Sequence, residues 1–477
     1  MQGGEHMNTQ SGAASSETQT KRPQMGWSIA RVVVLSILVG IVAAGLAKLL
    51  LIAIGLTETY FHDGALFHVD GTPLMDLAKE QGIENATLRP FNVAVMVVFG
   101  LIVGCMTYYL MPNRANRGLS HVIEDVHFNR GSTGVKEGLT VGAISAVSIG
   151  AGASVGRFGP AVHLGAAAAS GLGSVFKMDD QERLTLSCAG MAAAISASFL
   201  SPLAAVIFVQ EVVLRQWRLY QFIPIAAAAV AASETAALLD VHFIIPSEII
   251  PEFVYTYEFI FFGIIGLLCG GLAIAFNHAL PAATAFVAKH IRIDSRLKPA
   301  VGGLILAAIG FYFPSVLGLG GYETQLAVAG EIALWLCLVL LVLKFLATVV
   351  SFSFGFNGGV FGPSLFMGAM LGLAIGLMVQ GAGIEIASLS LYALAGMGAM
   401  VAGVVGAVMS AIIVMIEMTG RLTTSLPLLF SVTCVYVIIY LTGESSLLVR
   451  QLKGRGKNPW EEIRATDQKY TGVKSPD

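Results

Sequence analysis

The sequence predicts an all-α polytopic membrane protein, an inverted-topology repeat whose broken half-helices converge at the membrane midplane. Three observations predict it. Of 477 residues, 55% are hydrophobic and only 12% are charged, with a mean hydropathy of +0.76. Soluble domains carry about 25% charge, so this chain has too little polar surface to face water over most of its body. Several long apolar runs are interrupted by Gly and Pro. One glycine motif also recurs in both halves of the chain.

The charges are unevenly placed. Residues 1–26 and 443–477 hold 16 of the 58 charged residues, which leaves an apolar body over 27–442. Net charge is −2, so no nucleic-acid partner is predicted. Cys105, Cys188, Cys269, Cys337 and Cys434 each sit alone in an apolar run with no CxxC pair. They read as small buried hydrophobes, and neither a disulfide framework nor a metal site is expected. The N-terminus is a polar Ser/Thr/Gln-rich tail. The first apolar run begins near Trp27, too long and too far in for a signal peptide, and reads as a retained membrane helix.

A bilayer core needs about 20 apolar residues per helix. Phe91–Met111 is uncharged and fits one span, Phe259–Ala288 carries no Asp, Glu, Lys or Arg, and Ala300–Tyr322 fits another. Phe345–Ile384 runs 40 residues without charge, too long for one helix, and is interrupted at Gly355, Gly358, Gly359, Gly362 and Pro363. Gly138–Val175 is similarly apolar, with Arg157 its only charge, and is broken by Gly and Pro. Irregular backbone at membrane depth is tolerated only where protein or a watery cavity surrounds it. Plain spans and half-helices together give about 14–17 helical pieces.

Orientation follows Lys/Arg placement. Lys21 and Arg22 precede the first span, Arg450, Lys453, Arg455 and Lys457 follow the last, and Lys289, Arg292, Arg296 and Lys298 cluster between them. These groups are expected on the cytoplasmic side, with both termini. Leu219–Ala288 has no Lys or Arg, so the Asp240–Tyr257 loop is expected outside, as is the acidic 57–90 loop.

Self-similarity carries the most information. Gly156-Arg-Phe-Gly-Pro160 followed by Gly165-Ala166 repeats as Gly359-Val-Phe-Gly-Pro363 followed by Gly368-Ala369, 203 residues on. Gly190-Met191 leads to Glu211 as Gly396-Met397 leads to Glu417, offset by 206. The chain therefore divides into a tail (1–26), a first repeat (27–240), an external linker (241–257), a second repeat (258–442) and a short cytoplasmic end (443–477). A half that runs from inside to outside, then one that returns, is an inverted repeat, which places the binding site near the midplane.

In a Gly-x-Phe-Gly-Pro turn, glycine permits close backbone approach, and proline in the first helical turn costs no hydrogen bond. The result is a helix N-terminus with free N–H groups at membrane depth, where its partial positive charge favours an anion. Two such termini related by the repeat would meet at one point; the competing reading is a pair of packing turns with no ligand.

The order of Gly156–Pro160, Pro202–Glu211, Lys344–Thr348, Gly358–Ser364 and Ser446–Gly456 resembles the ClC chloride channel and transporter family. The resemblance implies an anion pathway, with chloride or another small anion as cargo, in each subunit of a homodimer. It assigns the anion site to Arg117 and Gly118, to Arg157, Phe158 and Gly159, to Val360 and Phe361, and to Leu448. Three of the family's four contact elements are altered. Arg117 stands where the family has Ser, Phe158 where it has the gating Glu, and Leu448 where it has Tyr. Glu211 matches the first of two helix-end glutamates, and Val212 stands at the inner, proton-handling one. Neither Phe158 nor Val212 titrates, and no Asp or Glu lies between Glu137 and Asp179.

Arg117 has two readings: a permanent cation at the anion site, or a snorkelling residue paired with Glu124 or Asp125. Lys344 either caps carbonyls or serves the pathway. His163 reads as a buried, hydrogen-bonded histidine ahead of a proton relay. The expected function is a ClC-type anion channel or uncoupled carrier in a lipid bilayer, with a bacterial inner membrane the expected location. The alternatives are a proton-coupled chloride antiporter using His163 or Glu211, and a non-conducting homologue. No Ser/His, paired-Asp or HExxH constellation marks an enzyme, and no cofactor is expected. With 21 residues after Gly456, the paired nucleotide-binding modules of many family members are not expected, nor is nucleotide control.

Overall fold

The computed structural model describes residues 22–62, 90–216, 219–241, 254–457 and 459. The proposed linker 241–257 and the two tails fall largely outside them. The first half runs α1 (Arg22–His62), α2 (Pro90–Leu110), α3 (Leu119–Phe128), α4 (Val135–Gly150), α5 (Phe158–Val175), α6 (Asp180–Phe199), α7 (Pro202–Phe208) and α8 (Leu219–Leu238). The second half runs α9 (Glu258–His290), α10 (Lys298–Tyr312), α11 (Gly321–Ala329), α12 (Leu334–Ser353), α13 (Phe361–Gly381), α14 (Leu389–Val405), α15 (Val408–Thr419) and α16 (Ser425–Thr442). A short amphipathic helix, α17 (Leu447–Gly454), follows. Seven helical stretches among the described residues are long and apolar enough to cross a membrane.

The halves correspond helix by helix. α1 packs on α6 and α8 as α9 packs on α14 and α16, and α4 packs on α5 as α12 packs on α13. α2 against α10 and α7 against α15 join the halves. Lipid gives no hydrophobic drive between helices, so close backbone approach at small residues must hold them together. At the α5–α6 crossing a Cβ on Gly165 would fall 2.2 Å from the Gly190 carbonyl oxygen, and at the α13–α14 crossing one on Gly368 would fall 2.3 Å from that of Gly396. The two repeat motifs thus touch each other within each half.

The broken runs break where expected. The 138–175 run parts between Gly150 and Phe158, and the 345–384 run between Ser353 and Phe361. Ala300–Tyr322, expected as one span, is not one helix. α10 stops at Tyr312, Pro314–Val316 forms a 3-10 turn, and Gly318 and Gly320 take positive φ of 59° and 69° before α11. Proline removes the donor needed to continue the helix. Lys344, fully buried on α12, donates from Nζ to the carbonyls of Val316 and Gly318, both at 3.0 Å. Of its two sequence readings, the structure selects carbonyl capping. The five cysteines are unpaired; Cys188, Cys269 and Cys337 are buried, and Cys105 and Cys434 half-buried.

Candidate functional site

The two Gly-x-Phe-Gly-Pro turns meet. Gly156 and Gly359 exchange both backbone hydrogen bonds, each at 2.6 Å, as an isolated antiparallel bridge. Glycine is required by contact: a Cβ on Gly359 would lie 2.8 Å from the Gly159 nitrogen. From this crossing α5 and α13 start with Phe158 and Phe361 as their first residues. Pro160 and Pro363 occupy the third helical position, where the absent N–H costs nothing. The first intrahelical bonds are donated by Ala161 to Arg157 (3.1 Å) and by Ser364 to Val360 (3.1 Å). The amides of Phe158, Gly159, Val360 and Phe361 precede them and belong to the orphan donors of a helix start.

These termini border a cavity of about 90 Å³, closed by α3 and α17 from another side. Gly118, Leu119, Phe158, Gly159, Val360, Phe361, Leu447 and Leu448 are among its lining residues. Three rings crowd it. Phe158 stacks on Phe199, centroids 3.8 Å apart and planes within 12°, and stands edge-on to Phe361 at 5.1 Å. Phe199 and Phe361 are 4.9 Å apart. Sequence reasoning missed Phe199, which ends α6 and carries no repeat signal.

The site residues predicted from the sequence do not all converge. Gly118, Phe158, Gly159, Val360, Phe361 and Leu448 line the cavity. Arg117 does not: its guanidinium is paired with Asp125 at 2.8 Å and with Glu137. The pairing reading of Arg117 is the one the geometry carries, with Asp125 the partner; Glu124 instead pairs with Arg455 and Lys457. The amide of Gly118, a residue the resemblance assigns to the anion site, donates to His121 Nδ1 at 3.1 Å. Arg157 is buried beside the cavity, its guanidinium 5.8 Å from the Phe158 ring centre, with Glu58 of α1 its electrostatic counterpart. His163 is fully buried, as expected, but contrary to expectation neither ring nitrogen has a hydrogen-bond partner among the described residues; it is not among the residues lining the cavity.

Glu211 and Val212 lie in a π-helical turn, Val209–Leu214, that continues α7. Such turns mark local departures from helical register, often at functional sites. Val212 is buried and outside the cavity lining. Glu211 accepts from the Met409 and Ser410 amides (2.9 and 3.0 Å) and from the Ser410 hydroxyl (2.6 Å), capping α15. Glu417 at the end of α15 accepts from Leu203 and Ala204 (3.0 and 2.8 Å), capping α7. The repeat pairs these glutamates, and the fold uses them to exchange caps between halves. A carboxylate at a helix N-terminus satisfies its orphan donors and its dipole.

An all-helical inverted repeat that brings two glycine-framed helix starts together at membrane depth defines an ion-transport class of membrane protein. A family model described as voltage gated chloride channel matches residues 99–439, and the chain belongs to that family. A putative chloride channel protein, ClcB-like, from Ralstonia nicotianae is 30% identical over 364 residues, covering 74% of this chain and 83% of that protein. The H(+)/Cl(-) exchange transporter ClcA of Vibrio campbellii is 28% identical over 424 residues, covering 84% and 87%. Among solved structures, a slow cyanobacterial Cl-/H+ antiporter matches with a TM-score of 0.74 at 20% identity, over 89% of this chain and 98% of that one. A CLC-type fluoride/proton antiporter matches at 0.70 and 20%, over 88% and 97%. At that identity the structural matches speak to the fold alone.

Proposed function

We propose that this chain moves small anions, chloride first among them, passively across a membrane and without stoichiometric proton exchange. The observation that carries this is the lining of the cavity: among the described residues that line it there is no Asp, Glu, His, Lys or Arg. Proton exchange needs groups that bind and release protons along the path. At the gate position Phe158 presents a ring stacked on Phe199. A hydrophobic constriction of this kind gates by dewetting, and the orphan amides of α5 and α13 supply the attraction for the anion. Glu211, next in the chain to the expected proton position Val212, is committed to capping α15. The same reading puts the protein in a bacterial inner membrane as a homodimer, both termini cytoplasmic.

One observation favours a second reading. The Vibrio campbellii relative is an exchanger by name, and His163, one turn beyond Pro160, has no partner on either ring nitrogen among the described residues. That arrangement suits a relay for coupled antiport. Chloride efflux from liposomes with simultaneous external pH recording separates the two. Passive conduction gives chloride flux with no uphill proton movement. Proton pumping driven by a chloride gradient overturns it, and loss of that pumping in His163→Phe would assign the relay. Absence of any anion flux would leave a non-conducting homologue.

A further inference from the structure

The resemblance expects two side-chain hydroxyls at the anion site, and this chain has neither: Arg117 is turned to carboxylates and Leu448 is apolar. Among the described residues lining the cavity, two have polar side chains, Ser410 and Gln451. The Ser410 hydroxyl donates to Glu211 at 2.6 Å, so its proton is committed. Gln451 sits on α17, three residues beyond Leu448 and four beyond Leu447. At that spacing the three share a helix face, and all three line the cavity. Gln451 is half-buried, and its carboxamide has no hydrogen-bond partner among the described residues. A carboxamide carries two N–H donors, and apart from Ser410 the other described lining residues are Phe, Val, Ile, Leu, Ala and Gly.

α17 is held in place from its far end. Arg455 and Lys457, just beyond the helix, pair with Glu124 of α3 at 3.2 and 2.8 Å. α3 begins at Gly118–Leu119, which line the same cavity. Gln451 therefore sits on a helix whose far end is tied to the element that opens on the same cavity.

We infer that Gln451 is the side-chain ligand of the anion and sets its selectivity; the inference rests on the conduction reading above. An anion entering the cavity gives up water. Each lost hydration contact must be replaced by a donor or it counts against entry. Orphan backbone amides replace some, and Gln451 is the side chain that replaces more. Chloride, more strongly hydrated than nitrate or thiocyanate, depends on that replacement more than they do. Gln451 holds chloride in competition with weakly hydrated anions.

The test is anion flux from liposomes for chloride, nitrate and thiocyanate. In Gln451→Leu, similar in size and without a donor, chloride flux is expected to fall about three- to tenfold, the worth of one neutral hydrogen bond. Thiocyanate flux is expected to fall less, so the thiocyanate-to-chloride ratio rises. In Gln451→Glu, chloride flux is expected to fall further near neutral pH and recover in acid, where the carboxyl is protonated and can donate. An unchanged ratio in a folded, conducting Gln451→Leu overturns the inference and leaves conduction standing. Should Gln451→Leu fail to fold, a Gln451→Glu flux indifferent to pH overturns it instead. An unmodified protein that passes none of the three anions removes the conduction reading and this inference with it.

Discussion

The Gly-x-Phe-Gly-Pro turns of the two halves have the same backbone and different surroundings. Gly156 and Gly359 bond to each other, and each turn starts a helix with a Phe at the first position. Around the first turn stand a buried Arg157 and a Phe158 sealed against Phe199. Around the second, Val360 replaces the arginine and Phe361 is only half-buried. Backbone symmetry supplies paired N–H groups at one point. Side-chain asymmetry puts the permanent cation and the tightest ring contact on one side. A pathway built this way has two unlike ends although its halves derive from one pattern.

The largest expected effect tests the symmetry itself. Gly165→Val and Gly368→Val each drive a side chain into a backbone carbonyl at the corresponding helix crossing. Backbone cannot yield as a side chain does, and overpacking costs about 1–3 kcal/mol or more. Both variants should lose most monodisperse protein on gel filtration; tolerance of one alone would show the crossings are not equivalent.

Arg117→Ser comes next. It leaves Asp125 and Glu137 without their partner. Asp125 is 4% exposed, but Arg117 and Glu137 are 20% and 27% exposed. The loss should therefore fall between the ~1 kcal/mol of a surface pair and the ~3–5 kcal/mol of a broken buried one, read as thermal stability in detergent. Calorimetric anion affinity should stay unchanged; a marked weakening would return Arg117 to the anion site.

Phe158→Glu and Phe361→Glu sharpen the asymmetry in function. A carboxylate at position 158 competes with anions for the orphan amides. Flux should be low near neutral pH and rise as pH falls, because protonation removes the competitor. It should not restore proton exchange, since Val212 still carries no proton. If position 361 gives the same pH profile, the two ends of the pathway are equivalent and the comparison fails.

The smallest effect concerns the exchanged caps. Glu211→Ala and Glu417→Ala should each cost about 1–2 kcal/mol, nearly equally, by thermal unfolding. Only Glu211→Ala also frees the Ser410 hydroxyl, which lines the cavity. That variant alone should change anion affinity, strengthening it by less than about threefold, below the worth of a full neutral hydrogen bond. Equal affinity changes in both would count against Ser410 facing the anion.

Much of this fold was legible in the residues. Apolar runs longer than a bilayer needs, broken at Gly and Pro, located α4–α5 and α12–α13, and the recurring motif identified which broken ends belong together. The Ala300–Tyr322 run misled because Pro314 and two positive-φ glycines break it without adding charge. Gly118, Phe158, Gly159, Val360, Phe361 and Leu448 were placed by motif. Gln451 was within reach of helical spacing from Leu448, whereas Phe199 had no signal, since its contact with Phe158 crosses between helices.

By itself the sequence determined the solvent of the chain, its two-fold repetition and the glycines that let the halves touch. These are properties of composition and local backbone, set by which residues tolerate lipid, helix or close approach. Tertiary structure alone decided which charges are spent. Arg117 meets Asp125 and Glu137, Lys344 meets two carbonyls, and each repeat's glutamate caps a helix of the other half. A charge at low dielectric takes whichever partner the packing brings within hydrogen-bond reach, and that distance is set by helices far apart in the chain.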